Sequence, residues 1–256
     1  MTFGPEIVML GLFTGFLVGL TGVGGAALLT PVMILFGMNP SIAVGTDLFY
    51  NSITKFFGAI QHVRQKTVNF KLVRQFACGS IPGAIAAAVL LKLHGSFSAG
   101  QETWMKLILA VMLIIVACLI LFRQWLEPYL KENRWQAKAM HEKRNVMIAV
   151  GFVLGVAVGM TSIGSGSLFA LALLYFFRMK GSEIVGTDIA HAFLLVTAAG
   201  LMHAGMGHVN YALAFQLLAG SVPGVMIGST LSAKVPTKPL RAVMAMLILI
   251  SGVMMI

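Results

Sequence analysis

Charge is what this sequence has least of. Only 10% of its 256 residues are charged, and the acidic share is smaller still: eight Asp and Glu against eighteen Lys and Arg. Cysteine is almost absent, and the two present, Cys78 and Cys118, both fall in apolar runs. That placement argues against a disulfide framework and against a thiolate metal site. The N-terminal "MTFGPEIVM" lacks the basic stretch that opens a cleaved signal peptide. There is no HExxH, no GxSxG and no Cys/His cluster, so the chain is not expected to be an enzyme or to hold a metal or other cofactor.

Apolar residues fill the space left by charge, at 58% of the chain. A soluble core does not need so much apolar surface, whereas a polytopic membrane protein does. Several uncharged stretches have the roughly 20-residue length that carries a helix across a bilayer. The net charge of +10 therefore reads as Lys/Arg-rich cytoplasmic loops, with no nucleic-acid partner implied.

The chain repeats itself. "GLTGVGGAAL" at 19–28 matches "GMTSIGSGSL" at 159–168, "VGTDLF" at 44–49 matches "VGTDIA" at 185–190, and "GSIPGA" at 79–84 matches "GSVPGV" at 220–225. His62 with "VN" at 68–69 pairs likewise with His203 and "VN" at 209–210. Repeats of this kind expose a fold before any single motif does. Residues 1–122 form the first membrane repeat, 123–145 a basic cytoplasmic linker and 146–256 the second repeat. Each repeat opens with a long Gly-interrupted segment and continues with three apolar ones, at 40–61, 73–91 and 105–122 and at 184–207, 211–232 and 238–256.

Two threadings fit this pattern, both all-α. If each Gly-interrupted segment crosses once, there are eight simple transmembrane helices in parallel repeats. If each is a re-entrant hairpin, each half crosses three times and the repeats are inverted. Counting loop Lys and Arg separates them, because positive charge stays cytoplasmic. Eight crossings divide the loop charges ten to seven. Hairpins divide them fifteen to two, leaving only Lys92 and Lys106 outside and Lys55 within a span. The expected fold is thus two inverted repeats, each a re-entrant Gly-rich hairpin plus three transmembrane helices, with both termini extracytoplasmic. Broken helices meeting near the midplane are the common plan of secondary transporters. The competing reading of the glycines is close helix packing.

With "GVGGAALLTP", "AVGTD", the terminal His of the next helix and their second-half copies on the page, the chain resembles the sulfite exporter TauE/SafE family of membrane permeases over nearly its whole length. The resemblance implies a secondary transporter for a small sulfur-containing or organic anion of the sulfite, sulfonate or sulfoacetate type, in the prokaryotic cytoplasmic membrane. The second glycine motif departs from the family pattern by serine substitution. Asp47 and Asp188 stand where a small hydroxyl residue is common, and Lys55 is a further departure.

An anion inside a membrane needs hydrogen-bond donors, and a half-helix N-terminus supplies free N–H groups with partial positive charge. Val23, Gly24, Gly25 and Ala26 are expected to open the returning arm of the first hairpin. Ile163, Gly164, Ser165 and Gly166 do so in the second, with Ser162, Ser165 and Ser167 adding hydroxyls. Lys55 is the fixed positive charge expected to face the anion, unless it snorkels to the membrane surface. Asp47, Asn51, Thr54 and Lys55 share one helical face, and Asp188 and His191 share another. Asp47, Asp188 and His191 are read as proton-coupling groups, with helix capping or an interhelical bond as the other use of each carboxyl. His62 and His203 read as interfacial. The implied partners are the anion and the bilayer, and a homo-oligomer is allowed. An anion channel lined by the same hairpins is the alternative function.

Overall fold

The computed structural model describes residues 4–22, 26–95, 101–126, 134–232 and 238–255, and among them every regular element is an α-helix. In chain order these are α1 (Pro5–Thr21), α2 (Ala26–Leu35), α3 (Pro40–Arg64), α4 (Phe70–Gly95) and α5 (Gln101–Leu126), then α6 (Arg134–Ala137), α7 (Met140–Thr161), α8 (Ser167–Phe176), α9 (Gly181–Gly205), α10 (Tyr211–Leu231) and α11 (Lys238–Met254). Five helices are long and apolar enough to cross a membrane: α4, α5, α7, α9 and α10. The 25-residue α3 has the length but carries Asp47, Lys55, His62 and Arg64 in its sequence.

The solvent-facing pattern of a soluble protein is turned inside out. Asp47, Lys55 and Asp188 have no exposure at all, while Phe13, Val111, Ile115, Val153, Phe215 and Ile250 lie on the outer surface. Such an apolar coat belongs against hydrocarbon.

The two halves are interleaved. α1 packs along α10, α7 along α4, α3 along α9 and α5 along α11. The first two contacts are repeat-matched twins, and the last two each join a helix to its counterpart in the other half. The first two pairs approach until backbones touch. On α1, Cβ atoms at Gly11, Gly15 and Gly19 would run into the backbone of Leu217, Ser221 and Val225. The glycines of α10 at 220, 224 and 228 meet α1 in the same manner, and Gly79 and Gly83 of α4 alternate with Gly151, Gly155 and Gly159 of α7. Small residues four apart are what let membrane helices come this close.

Hydrogen bonds fix which helix ends lie together. Asn69 N–H, at the entry to α4, donates to Thr187 Oγ1 near the start of α9 (3.0 Å). Asn210 N–H, at the entry to α10, donates to Thr46 Oγ1 near the start of α3 (2.9 Å). Each of α3 and α9 therefore begins beside the other's end. Buried Lys143, in the first turn of α7, donates to the carbonyl of Phe176, the last residue of α8 (3.0 Å). The start of α1 and the end of α2 likewise share a cavity of about 440 Å³, lined by Glu6, Ile7, Leu10, Val32, Met33 and Phe36 among others.

Candidate functional site

The breaks between α1 and α2 and between α7 and α8 start alike. Gly22 follows α1 with φ 73°, and Ser162 follows α7 with φ 61°; each N–H closes on the carbonyl four residues back, Val18 and Val158. A left-handed conformation suits glycine but costs serine about 1 kcal/mol. Ser162 is held there by its side chain, whose hydroxyl donates to Asp47 Oδ2. Residues 163–166 then turn into α8, whose N-cap is Gly166 with no side-chain cap. Helix α8 so begins at Ser167, with Ile163, Gly164, Ser165 and Gly166 forming the turn before it. Ile163 N–H is engaged by Thr161 Oγ1 (3.2 Å). Gly164 has φ 88°, a second left-handed position in that turn. Val23, Gly24 and Gly25 lie outside the described residues; Ala26 opens α2.

Lys55 does not snorkel. Its ammonium is fully enclosed and donates to Ser165 Oγ (2.8 Å) and to the Ser165 carbonyl (3.3 Å), reaching from α3 across to the turn before α8. One helical turn earlier on the same face, Asn51 Nδ2 donates to Asp47 Oδ2 (2.9 Å). Asp47, Asn51 and Lys55 thus hold the second break, between α7 and α8, through Ser162 and Ser165. Asp188 is placed against the first: a Cβ on Gly22 would lie 3.2 Å from Asp188 Oδ2.

Around this centre lies a set of hydroxyls, of which the sequence had singled out Thr54 alone. Thr54 Oγ1 bonds Ser221 Oγ (2.7 Å), and Tyr50 OH bonds Thr14 Oγ1 (3.2 Å). The alignment of "VGTDLF" on "VGTDIA" makes His191 the counterpart of Tyr50, and "GSIPGA" on "GSVPGV" makes Ser80 the counterpart of Ser221. His191 Nε2 indeed bonds Ser80 (2.8 Å), with its ring stacked on Phe169 at 3.8 Å. His191 therefore faces α4 and α8 rather than joining the Lys55 cluster by a hydrogen bond. The signal for Ser80 and Ser221 was present, since each sits inside a repeated motif.

His62 and His203 are not interfacial. Both are fully buried although each lies in the last turn of its helix. The ends of α1 and α7 cover them. His203 Nε2 donates to the Gly159 carbonyl (3.1 Å), and the His62 ring lies against the backbone of Gly19 while its Nδ1 meets Thr67 Oγ1 (2.9 Å). Gly19 and Gly159 occupy matched places three residues before each break.

An enclosed cation and two enclosed carboxylates inside a helical bundle coated with apolar side chains are the build of a polytopic membrane protein. The chain belongs to the sulfite exporter TauE/SafE family, whose model matches residues 7–255. The probable membrane transporter protein YjnA of Bacillus subtilis is 57% identical to it over 251 residues, covering 98% of this chain and 99% of that protein. The probable membrane transporter protein YunE of the same organism is 25% identical over 268 residues, covering 98% and 96%. A probable membrane transporter protein of Xylella fastidiosa is 27% identical over 240 residues, covering 91% and 87%. No solved structure matches the chain.

Proposed function

We propose that this protein is a secondary transporter that carries a small sulfur-containing or organic anion, of the sulfite, sulfonate or sulfoacetate type, across the cytoplasmic membrane. The observation that carries the reading is Lys55: an ammonium buried at 0% exposure whose hydrogen-bond partner is the turn of a broken helix. A cation is kept in hydrocarbon only for a purpose. A turn that offers N–H groups, hydroxyls and a neighbouring ammonium suits an oxyanion.

The two Gly-interrupted segments are re-entrant hairpins and the halves are inverted repeats. Support comes from the meeting of α7's start with α8's end through Lys143, the cavity shared by the start of α1 and end of α2, and the opposed α3 and α9. The end of the bundle where α4, α7 and α9 begin carries Arg64, Lys66, Lys71, Arg74, Arg144 and Lys180, and it faces the cytoplasm. Both termini face outward. Asp47 and Asp188 couple anion movement to a cation gradient, each losing its charge in part of the cycle, by protonation in the simplest case.

Purified protein should be stabilised against heat by sulfite or a small sulfonate at concentrations where chloride does nothing. Lys55→Gln should lose that stabilisation while remaining monodisperse. If Lys55→Gln binds the same anions as tightly as wild type, the ammonium is structural and the site lies elsewhere.

A further inference from the structure

Among the described residues, Asp47 has no hydrogen bond to a cation. Lys55 sits eight residues further along α3 and gives its protons to Ser165. Asp47 Oδ2 accepts from Asn51 and Ser162, but Asp47 Oδ1 has no hydrogen-bond partner among the described residues, and neither has Asn51 Oδ1. Both residues are fully buried. Two enclosed acceptor oxygens without a donor, on side chains joined by a hydrogen bond, are a costly arrangement for an empty site.

The neighbouring backbone adds to the need. Ser162 caps α7 and its hydroxyl donates to Asp47, which brings the carbonyl end of that helix, with its negative pole, close to the carboxylate. A proton would satisfy one oxygen. A metal ion draws on several at once, and a set of one carboxylate with otherwise neutral oxygens matches a hard monovalent ion better than a divalent one. Helix C-terminal carbonyls coordinate sodium in broken-helix transporters.

We propose that Asp47, Asn51, Ser162 and the carbonyl end of α7 bind a small monovalent cation, sodium being the ion to test. The inference deepens the transport reading and rests on it, since the ion's gradient would then drive the anion. The repeat predicts that the site is single. At Asp188 the counterpart of Asn51 is Ala192 and that of Ser162 is Gly22, so the second copy lacks both side-chain oxygens.

The test uses purified wild type in choline chloride, read by 22Na⁺ scintillation proximity and by thermal melting as choline is replaced with sodium or potassium. Saturable 22Na⁺ binding is expected, with a melting temperature raised by sodium and not by potassium. Asp47→Asn should abolish the binding. Asn51→Leu should weaken it by about tenfold, as loss of one oxygen near a metal does, and Asp188→Asn should leave the sodium affinity unchanged. Asn51→Ser, which keeps a smaller oxygen, serves if Asn51→Leu does not fold, and should bind more weakly than wild type. Absence of 22Na⁺ binding by a wild type that still transports the anion on a proton gradient would overturn the cation site and leave the transport reading intact. Sodium binding by a protein that carries no anion under either gradient would do the reverse. Wild-type sodium affinity in folded Asp47→Asn would also overturn the site.

Discussion

Replacing Gly155 with alanine adds one methyl group and tests whether helix packing sets the hairpin. That Cβ would stand 2.7 Å from Ser80 Cα, with the Ser80 carbonyl oxygen nearer still, whereas ordinary contact begins at 3.4 Å. The helices α7 and α4 must then part by about 1 Å, because the obstacle is backbone and close-packed interiors do not absorb such overlap. Overpacking of this size costs about 1–3 kcal/mol. The shift also propagates, since α7 ends at Thr161 and carries Ser162 and Ser165 to Asp47 and Lys55. A displacement of about 1 Å would stretch the 2.8 Å bond between Lys55 and Ser165 Oγ beyond hydrogen-bonding distance. Losing a hydrogen bond to a charged group is worth about 1.5–3 kcal/mol. Gly155→Ala in proteoliposomes should therefore show anion uptake lowered by about tenfold or more, together with a lower melting temperature. The control is Gly205→Ala, whose Cβ would meet nothing within 4 Å and which should transport normally. Uptake and melting by Gly155→Ala indistinguishable from wild type would refute the reasoning, for the glycine would then be dispensable to both packing and site.

Other perturbations address the remaining parts. Gly164→Val puts a β-branched residue at φ 88° with Leu168 Cδ1 2.6 Å from its Cβ, so a folded variant should lose anion binding; wild-type affinity would remove this turn from the site. Gly24→Val makes the matching test on the first hairpin. For topology, single cysteines at His141 and His208, in a background without Cys78 and Cys118, should differ toward an impermeant reagent in intact cells: His208 labelled, His141 protected. Labelling of His141 alone would reverse the orientation. Asp47→Asn and Asp188→Asn should each lower gradient-driven uptake while leaving anion binding largely intact, and normal uptake by both would reduce the carboxyls to structural bonds.

The helices themselves were legible because their apolar runs are long. The run at 40–61 became α3 at Pro40–Arg64, and that at 211–232 became α10 at Tyr211–Leu231. The face shared by Asp47, Asn51 and Lys55 was legible too, since helical spacing alone puts these residues together. Their partners were not. Nothing local tells that Lys55 of α3 meets Ser165, 110 residues away, or that Ser162 adopts a left-handed turn in place of glycine. The cross-half packing could have been read from the four-residue spacing of Gly11, Gly15 and Gly19 and of Gly220, Gly224 and Gly228. Those glycines pack helices, while Gly22 and Gly164 turn the backbone. His62 and His203 misled because a polar residue at a helix end normally faces the membrane surface, and here the arms of the two broken segments cover both.

The most direct measurement is counterflow in proteoliposomes of the purified protein. Vesicles loaded with unlabelled sulfite and diluted into radiolabelled sulfite, with no ion gradient imposed, should transiently accumulate label. The uptake should saturate with external anion, exceed that of vesicles loaded with buffer alone, and vanish with Lys55→Gln. A carrier that exchanges one enclosed anion at a time must behave so. Uptake that rises linearly without saturation and ignores the internal anion would mean a pore, and equal counterflow by Lys55→Gln would remove Lys55 from the path.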